Sequence, residues 1–351
     1  MLIKRETSNG ANDLITVYRP CTVEEFEGQE VNKKLIKNNL AKGTTPHSLL
    51  FTGPAGCGKT TAARIIALGL QCEESETSTE TPCLKCQSCK TTLNQNNLDV
   101  IEINVGKSGG KDAVDKITKS LAYSPLASKY KVLIFDEAQK LTPAAQDLLL
   151  KEIEDGYDHV YFIFCTNEPE KLKKTFSDRN RSMHFGHLSD TLLIAMLTNI
   201  CDYEGAKYDG NIIKYIVSVS KGTPRVAISY LDIVIDEASW DLDSIKSLLI
   251  NQSIDEDNPN IMEIGKLLTS GRFKEVLKTL KNLKNIPEET VRIATAGFFT
   301  NKLTWCKTLE QGDRISATLD IMTKPILMSG KPAYHVLVNN FYKVCKIMKG
   351  K

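Results

Sequence analysis

No apolar run in this sequence approaches the roughly 20 residues that a bilayer-spanning helix needs, so a membrane partner is not expected. The start, from Met1 to Thr7, lacks the apolar centre of a secretory leader, and the chain reads as cytoplasmic. Internal repeats and low-complexity tracts are missing as well, which sets aside solenoid and disordered architectures. Net charge is nearly absent: 45 Lys and Arg against 43 Asp and Glu leave +2. That balance is uneven, because residues 260–351 hold 16 basic and 7 acidic side chains, a local +9 that leaves −7 for the preceding residues. A chain of 351 residues exceeds one ordinary core, so two or three domains are expected. Hydrophobic residues at 41% and charged residues at 25% are ordinary for soluble globular domains.

What is present is organised around residues 48–60. Leu49, Leu50 and Phe51 predict a short buried strand, and Gly53, Pro54, Ala55, Gly56, Cys57, Gly58, Lys59 and Thr60 match the P-loop pattern, with a helix over residues 61–70. Glycines let the backbone turn tightly, so that successive N–H groups point at phosphate oxygens, and the positive end of the following helix favours the same charge. In this reading Gly53 through Thr61 cradle ATP, Lys59 reaches the β- and γ-phosphates, and Thr60 gives its hydroxyl to magnesium.

Ten cysteines could form a disulfide framework, but four are clustered: Cys72, then Cys83, Cys86 and Cys89 in a polar stretch. Four thiolates make a closed tetrahedral zinc site, structural because no position is left for water. Residues 99–103 predict a strand, residues 106–111 a polar turn, and residues 112–122 a helix. Lys107, Ser108, Gly109, Gly110 and Lys111 at that helix start form a candidate phosphate grip on nucleic acid, although a solvated loop is equally consistent with these residues.

Residues 131–135 predict an apolar strand ending in Asp136 and Glu137, a Walker B element. Asp136 would hold magnesium while Glu137 polarises the attacking water. Pro143 opens a helix over residues 143–154 with Thr142 as N-cap. Residues 160–165 predict another buried strand, whose polar tip, Asn167, could orient the lytic water or simply make a turn. Arg179 and Arg181 follow a Lys-rich connector, and an exposed Arg here could reach a neighbouring subunit's nucleotide. From residue 192 the pattern is helical, with Arg225 near a helix start that could face a phosphate. Residues 251–260 read as a linker, and residues 261–349 show helical periodicity broken at Pro287, Pro325 and Pro332.

This order of motifs resembles the AAA+ ATPase subunits of replication clamp loaders over residues 14–247, and the cysteine insertion is similar to that of bacterial DNA polymerase III gamma/tau subunits. The resemblance implies an α/β fold: a P-loop ATPase domain with a parallel sheet at residues 1–188, a zinc module at about residues 71–90, and a helical lid at residues 189–250. An all-α oligomerisation collar follows the linker at residues 261–351. Tyr18, Arg19 and Pro20, with Gly28 and Gln29, look like the family's adenine-side signature. The resemblance makes Glu137 the catalytic carboxylate, Asn167 sensor 1 and Arg225 sensor 2, and gives Arg181 a role in trans, beyond the end of the fifth strand. Two departures stand out. Asn180-Arg181-Ser182 replaces the family's Ser-Arg-Cys, which makes Arg179 a rival finger, and Gln139 stands where bacterial members place His. Such drift points to a divergent, phage-type relative in a bacterial or phage-infected cytoplasm.

The expected function is ATP-driven opening of a sliding clamp and its loading onto primer-template DNA, within a pentameric hetero-oligomer using ATP, Mg and Zn. A AAA+ helicase or branch-migration motor is the enzymatic rival, and a non-hydrolysing scaffold subunit the rival from another class.

Overall fold

A computed structural model of the chain describes all residues except 1–12, 75–81, 109, 237–241, 243–244, 246–258, 282, 284–287, 305, 307, 327–330 and 350–351. Within helices, the side chains of residues 107, 108, 111–113, 259, 290, 301, 304 and 331 also lie outside the description. The chain divides into two compact units, residues 1–240 and 241–351.

The first unit is built on β1 (Ser48–Thr52), β2 (Val100–Asn104), β3 (Lys131–Asp136), β4 (Val160–Thr166) and β5 (Arg181–His184). They form one parallel sheet in the order β2-β3-β4-β1-β5. Alternate residues of a strand face opposite sides. Leu49, Phe51, Val132, Ile134, Ile163 and Cys165 therefore enter one core, while Leu50, Leu133, Phe135, Phe162 and Phe164 enter the other. Both faces are buried, which is why β1, β3 and β4 read as unbroken apolar runs. Helices α2 (Glu30–Lys42) and α3 (Lys59–Gln71) cover the first face, contributing Ile36, Leu40, Ala62 and Ile66. The second face is covered by α7 (Pro143–Asp155) and its neighbours, through Ala145 and Leu149. Thr142 caps α7 by accepting the Ala145 N–H, with Pro143 at the first position as expected.

Between β2 and β3 lie α5 (Val105–Ser108) and α6 (Lys111–Thr118), and α4 (Gln87–Leu93) precedes them. The expected polar turn at residues 106–111 is thus partly helical, because buried Val105 folds the chain into a helical turn directly from the strand. The following helix stops short of residue 122, since the amides of Ser120 and Leu121 bond three residues back, to Ile117 and Thr118. The five-residue α8 (Lys174–Asp178) leads into β5.

Three helices complete the first unit: α9 (Asp190–Glu204), capped by Ser189, α10 (Gly210–Ser220), capped by Asp209, and α11 (Pro224–Asp236). The short α1 (Leu14–Val17) packs on α11 and delivers the chain to Tyr18. Asp232 on α11 accepts the Leu14 N–H and pairs with Asp13, the N-cap of α1.

The second unit is helical: α12 (Pro259–Thr269), α13 (Phe273–Lys281), α14 (Glu288–Thr304), α15 (Leu309–Met322) and α16 (Lys331–Met348) around Ile264, Leu268, Phe299, Leu337 and Phe341. Pro259 and Asn260 belong to α12 rather than to a linker. Pro332 lies in the first turn of α16, where a missing N–H costs nothing, so it does not break the helix there. Pro287 falls outside the described residues. Buried Arg292 ties Glu289 with two nitrogens at 2.8 and 2.6 Å, and Glu289 also accepts the Ile326 N–H at 2.8 Å.

Burial, with Asp13 and Asp236 close by, pushes Asp232 from 3.8 up to about 6. The folded state then holds this proton more tightly than the unfolded chain, so the α1–α11 contact strengthens as pH falls from above 6 toward 4. Asp232→Asn is expected to stabilise the protein at pH 7.5 by on the order of 1 kcal/mol after solvent screening, and to flatten the dependence over that window. Thermal midpoints at pH 7.5 and pH 5 measure this, and an Asn variant that keeps the parental pH dependence refutes the assignment.

Candidate nucleotide site and cysteine cluster

The carboxyl ends of β1, β3 and β4 open onto a cleft of about 1160 Å³, counted to its open mouth, walled by the P-loop, the residues around Tyr18 and the start of α11. Clefts at this end of a parallel sheet are where such folds bind ligands. Every residue from Ala55 to Thr61 lines it. Gly53, Gly56 and Gly58 have φ of 133°, 75° and 95°, values that disfavour any side chain. A Cβ on Gly53 would lie 2.0 Å from the Phe185 carbonyl oxygen, so strand β5 sets the loop's position directly.

Lys59 is 8% exposed, and burial lowers its pKa. Its ammonium donates to the carbonyls of Gly53 and Pro54, each at 2.7 Å, folding the side chain back over the loop it serves. The Thr60 hydroxyl donates to Asp136 at 3.1 Å, which brings together two oxygens that would hold a magnesium ion. Glu137 leaves the strand in the left-handed region, φ 57°, and its carboxylate pairs with Lys140 at 2.5 Å. Gln139 lines the cleft and accepts from Thr166 at 3.0 Å, linking the tips of β3 and β4 beside Asn167. An oxygen set of this kind fits a hydrated divalent ion, and the amide-rich loop fits phosphate.

Arg225 enters the cleft from α11, and a Cβ on Gly56 would sit 3.2 Å from the Arg225 Cβ. Burial lowers the pKa of Arg19, and the nearby guanidinium groups of Arg64 and Arg225 lower it further, an excess of positive charge suited to a polyanion. Tyr18 is fully buried and donates its hydroxyl to Glu204 on α9 at 2.6 Å; burial and that carboxylate raise its pKa. Tyr18, Arg19 and Pro20 all line the cleft, as does Asn167. Three pairings escaped the sequence reading: Glu137 with Lys140, Tyr18 with Glu204, and Gln29 with Gly186. Lys140 stands three residues after Glu137, a spacing that could have flagged the pair. Glu204 is 186 residues from Tyr18. Gln29 donates to the Gly186 carbonyl at 2.6 Å and accepts the Gly186 N–H at 3.3 Å, a contact across 157 residues with no local signal.

Arg181 does not follow the fifth strand; it opens it, opposite Leu49 in the register with β1. It is exposed, without an ion pair among the described residues, and stands about 13 Å along the strand direction from the P-loop. Its own nucleotide cleft is at the other end of the sheet. Arg179 instead pairs with Glu154 at 3.0 Å. Gly110 is the exposed N-cap of α6, while Gly109 and the side chains of Lys107, Ser108 and Lys111 lie outside the description.

The ligand atoms of Cys72, Cys83, Cys86 and Cys89 lie within 4.8 Å of one another. Tetrahedral zinc with sulfur at about 2.3 Å separates its ligands by roughly 3.8 Å, so the four thiols fit the ion with small adjustments. The Cys83 N–H points at the Cys72 sulfur, that of Cys86 at Cys83, and that of Cys89 at Cys86, each at 3.4 Å. Such amides stabilise thiolate charge. Cys72 caps α3, so the cluster is anchored to the P-loop helix.

A family model described as DNA polymerase III, delta subunit, matches residues 28–189. The DNA polymerase III subunit gamma/tau of Mycobacterium tuberculosis is 37% identical over 218 residues, 61% of this chain and 37% of the relative. The tau subunit of Bacillus subtilis is 32% identical over 276 residues, 79% of this chain and 48% of the relative. The chain therefore spans about half, or less, of the length of these relatives. Among solved structures, the Thermotoga maritima RuvB Holliday junction branch migration motor superposes with a TM-score of 0.50 at 22% identity, over 71% of this chain and 78% of that one; this likeness shows the fold. Motif order, sheet topology and these relatives together support a clamp-loader-like AAA+ subunit, similar to DNA polymerase III gamma/tau subunits.

Proposed function

We propose that this chain binds and hydrolyses ATP as a clamp loader subunit, opening a sliding clamp and placing it on primer-template DNA within a pentameric hetero-oligomer. The observation that carries the reading is the joint presence of Lys59, the Thr60–Asp136 pair, Glu137 and Arg225 in one cleft. A subunit retained only as a scaffold has no need of that set. The RuvB likeness favours a branch-migration motor only at the level of fold.

In the proposed reaction Lys59 exchanges the carbonyls of Gly53 and Pro54 for phosphate oxygens. The Thr60 hydroxyl and, through water, Asp136 would hold a magnesium ion, whose charge would offset that of the phosphates. Glu137 takes the proton of the attacking water, which Asn167 orients from the tip of β4, and Lys140 holds the carboxylate until it acts. Arg225 reads the γ-phosphate from the helical lid, and Tyr18, Arg19 and Pro20 close the adenine side. A neighbour's Arg181 completes the site, and release of phosphate ends the grip on clamp and DNA. Four thiolates hold one structural zinc, and residues 261–351 form the oligomerising collar.

Glu137→Gln is expected to lower ATP turnover by about 10²- to 10⁴-fold while nucleotide affinity stays within severalfold, trapping a complex with clamp and DNA. Turnover by this variant at the parental rate removes Glu137 from the chemistry. The position of Arg181 generates a mixing experiment: Arg181→Ala and Lys59→Ala chains, each inactive alone, should regain part of the ATPase when combined. If the mixture stays inactive although wild-type chains assemble, the trans role is lost. Lys107, Ser108, Gly109, Gly110 and Lys111 are proposed to grip DNA phosphates regardless of base sequence. Replacing both lysines by Ala should weaken primer-template binding and reduce the salt slope by about 2. An unchanged slope moves the DNA contact elsewhere.

A further inference from the structure

The second unit contains a cavity of about 660 Å³, counted to its mouth, that none of the ATPase residues touches. Thr269 at the end of α12, Lys302 near the end of α14, Gln311 and Arg314 on α15, and Met348 at the end of α16 surround it, with Cys306 at its side. Lys302 is its unusual member. The ammonium donates to the Thr269 hydroxyl at 3.2 Å and lies 5.8 Å from the centre of the Phe298 ring. Among the described residues no carboxylate comes within ion-pair distance of it. Burial lowers its pKa, the direction expected of a cation without a countercharge. A hydroxyl and a ring face offset only part of what a partly desolvated ammonium loses.

Arg314 lines the same cavity. It pairs at 2.5 Å with Glu310, whose side chain is 78% exposed, and makes a long 3.4 Å contact with the Met348 carbonyl. A guanidinium has five N–H donors, and these two acceptors use fewer than that. Lys302 and Arg314 thus bring two positive charges to one partly enclosed space, with the Gln311 amide as a neutral donor, while the Thr269 hydroxyl donates to the Gly265 carbonyl at 2.8 Å. The Ile315 and Met348 side chains give the same space an apolar wall, which suits a carbon-bearing ligand better than a bare ion.

From this juxtaposition we infer that the C-terminal unit binds a small organic oxyanion, bearing phosphoryl or carboxylate groups, between Lys302 and Arg314. The ammonium supplies a charge with no carboxylate partner among the described residues, and the guanidinium fork selects a planar or tetrahedral pair of oxygens. The local +9 of residues 260–351 draws anions toward this end of the chain. A simpler account makes both cations mere neutralisers of the helix carboxyl ends that meet here. The two accounts differ in whether anything binds.

Cys306, partly exposed beside the cavity, provides a local reporter. The full chain, saturated with magnesium and ADP so that the P-loop does not compete, is labelled with N-ethylmaleimide, and Cys306 modification is followed by peptide mass spectrometry. Inorganic pyrophosphate and citrate serve as probes; protection by either supports the site, and their ranking separates phosphoryl from carboxylate sources. Saturating probe should slow Cys306 labelling by about tenfold, and Lys302→Met or Arg314→Gln should raise the half-protecting concentration by about tenfold or more, with Lys302→Arg within about threefold of the parent. Buried Cys345 monitors folding: where a variant exposes it to label, the remaining substitutions decide. No protection up to about 10 mM of either probe, protection indifferent to these substitutions, or protection by oligothymidylate alone would each overturn the inference.

Discussion

The main chain of the P-loop runs so close to three other segments that no side chain fits between them. A Cβ on Gly53 would strike the Phe185 carbonyl, one on Gly56 the Thr223 methyl at 2.7 Å, and one on Gly58 the Phe26 ring at 2.7 Å. Each contact belongs to a different part of the first unit: the exit of β5, the turn into α11, and the segment after Tyr18. The loop is therefore a keystone whose shape is set by what surrounds it. The turn into α11 and the segment after Tyr18 rest on these contacts, so movement of one is felt by the loop backbone.

Electrostatics add a second layer to this arrangement. Lys59, Arg19, Arg64 and Arg225 converge near the cleft, and Arg64 is held by Glu102 of β2 through two bonds of 2.8 Å. Glu137 is likewise held, by Lys140. In the cleft the Lys59 ammonium lies against two carbonyl oxygens, whereas Arg64 is paired with a carboxylate. Charge is thereby concentrated where a polyphosphate would lie, at the end of the sheet where strand tips expose polar groups.

Much of the ATPase unit was legible because its physics is local. Strands buried on both faces print as apolar runs, the P-loop and Walker B motifs sit at their ends, and Cys83, Cys86 and Cys89 announce a knuckle by spacing alone. Strand β5 was not legible: its four residues, Arg-Ser-Met-His, bury only the Met183 side chain, so nothing in their polarity marks an edge strand and Arg181 was placed at the wrong end of it. Gln29 with Gly186, and Tyr18 with Glu204, join residues more than 150 positions apart, and such pairs exist only once the chain has folded. Pro332 misled in the opposite way, since a proline that breaks a helix interior is welcome in its first turn. The cavity around Lys302 has no sequence signature, because its wall comes from the ends of four helices.

Helix α3 carries Lys59 at its first residue and is followed directly by Cys72 of the thiol cluster. Thirteen residues of α-helix make a rod of about 20 Å. Its first residue is tied to the P-loop through the Lys59 bonds to Gly53 and Pro54, and its far end to the thiol cluster through Cys72, so the rod can neither slide nor twist without disturbing one of them. The cysteine cluster is in this sense a remote anchor for Lys59: it fixes the far end of the helix whose first residue enters the cleft, from a distance at which no atom of the cluster could touch it.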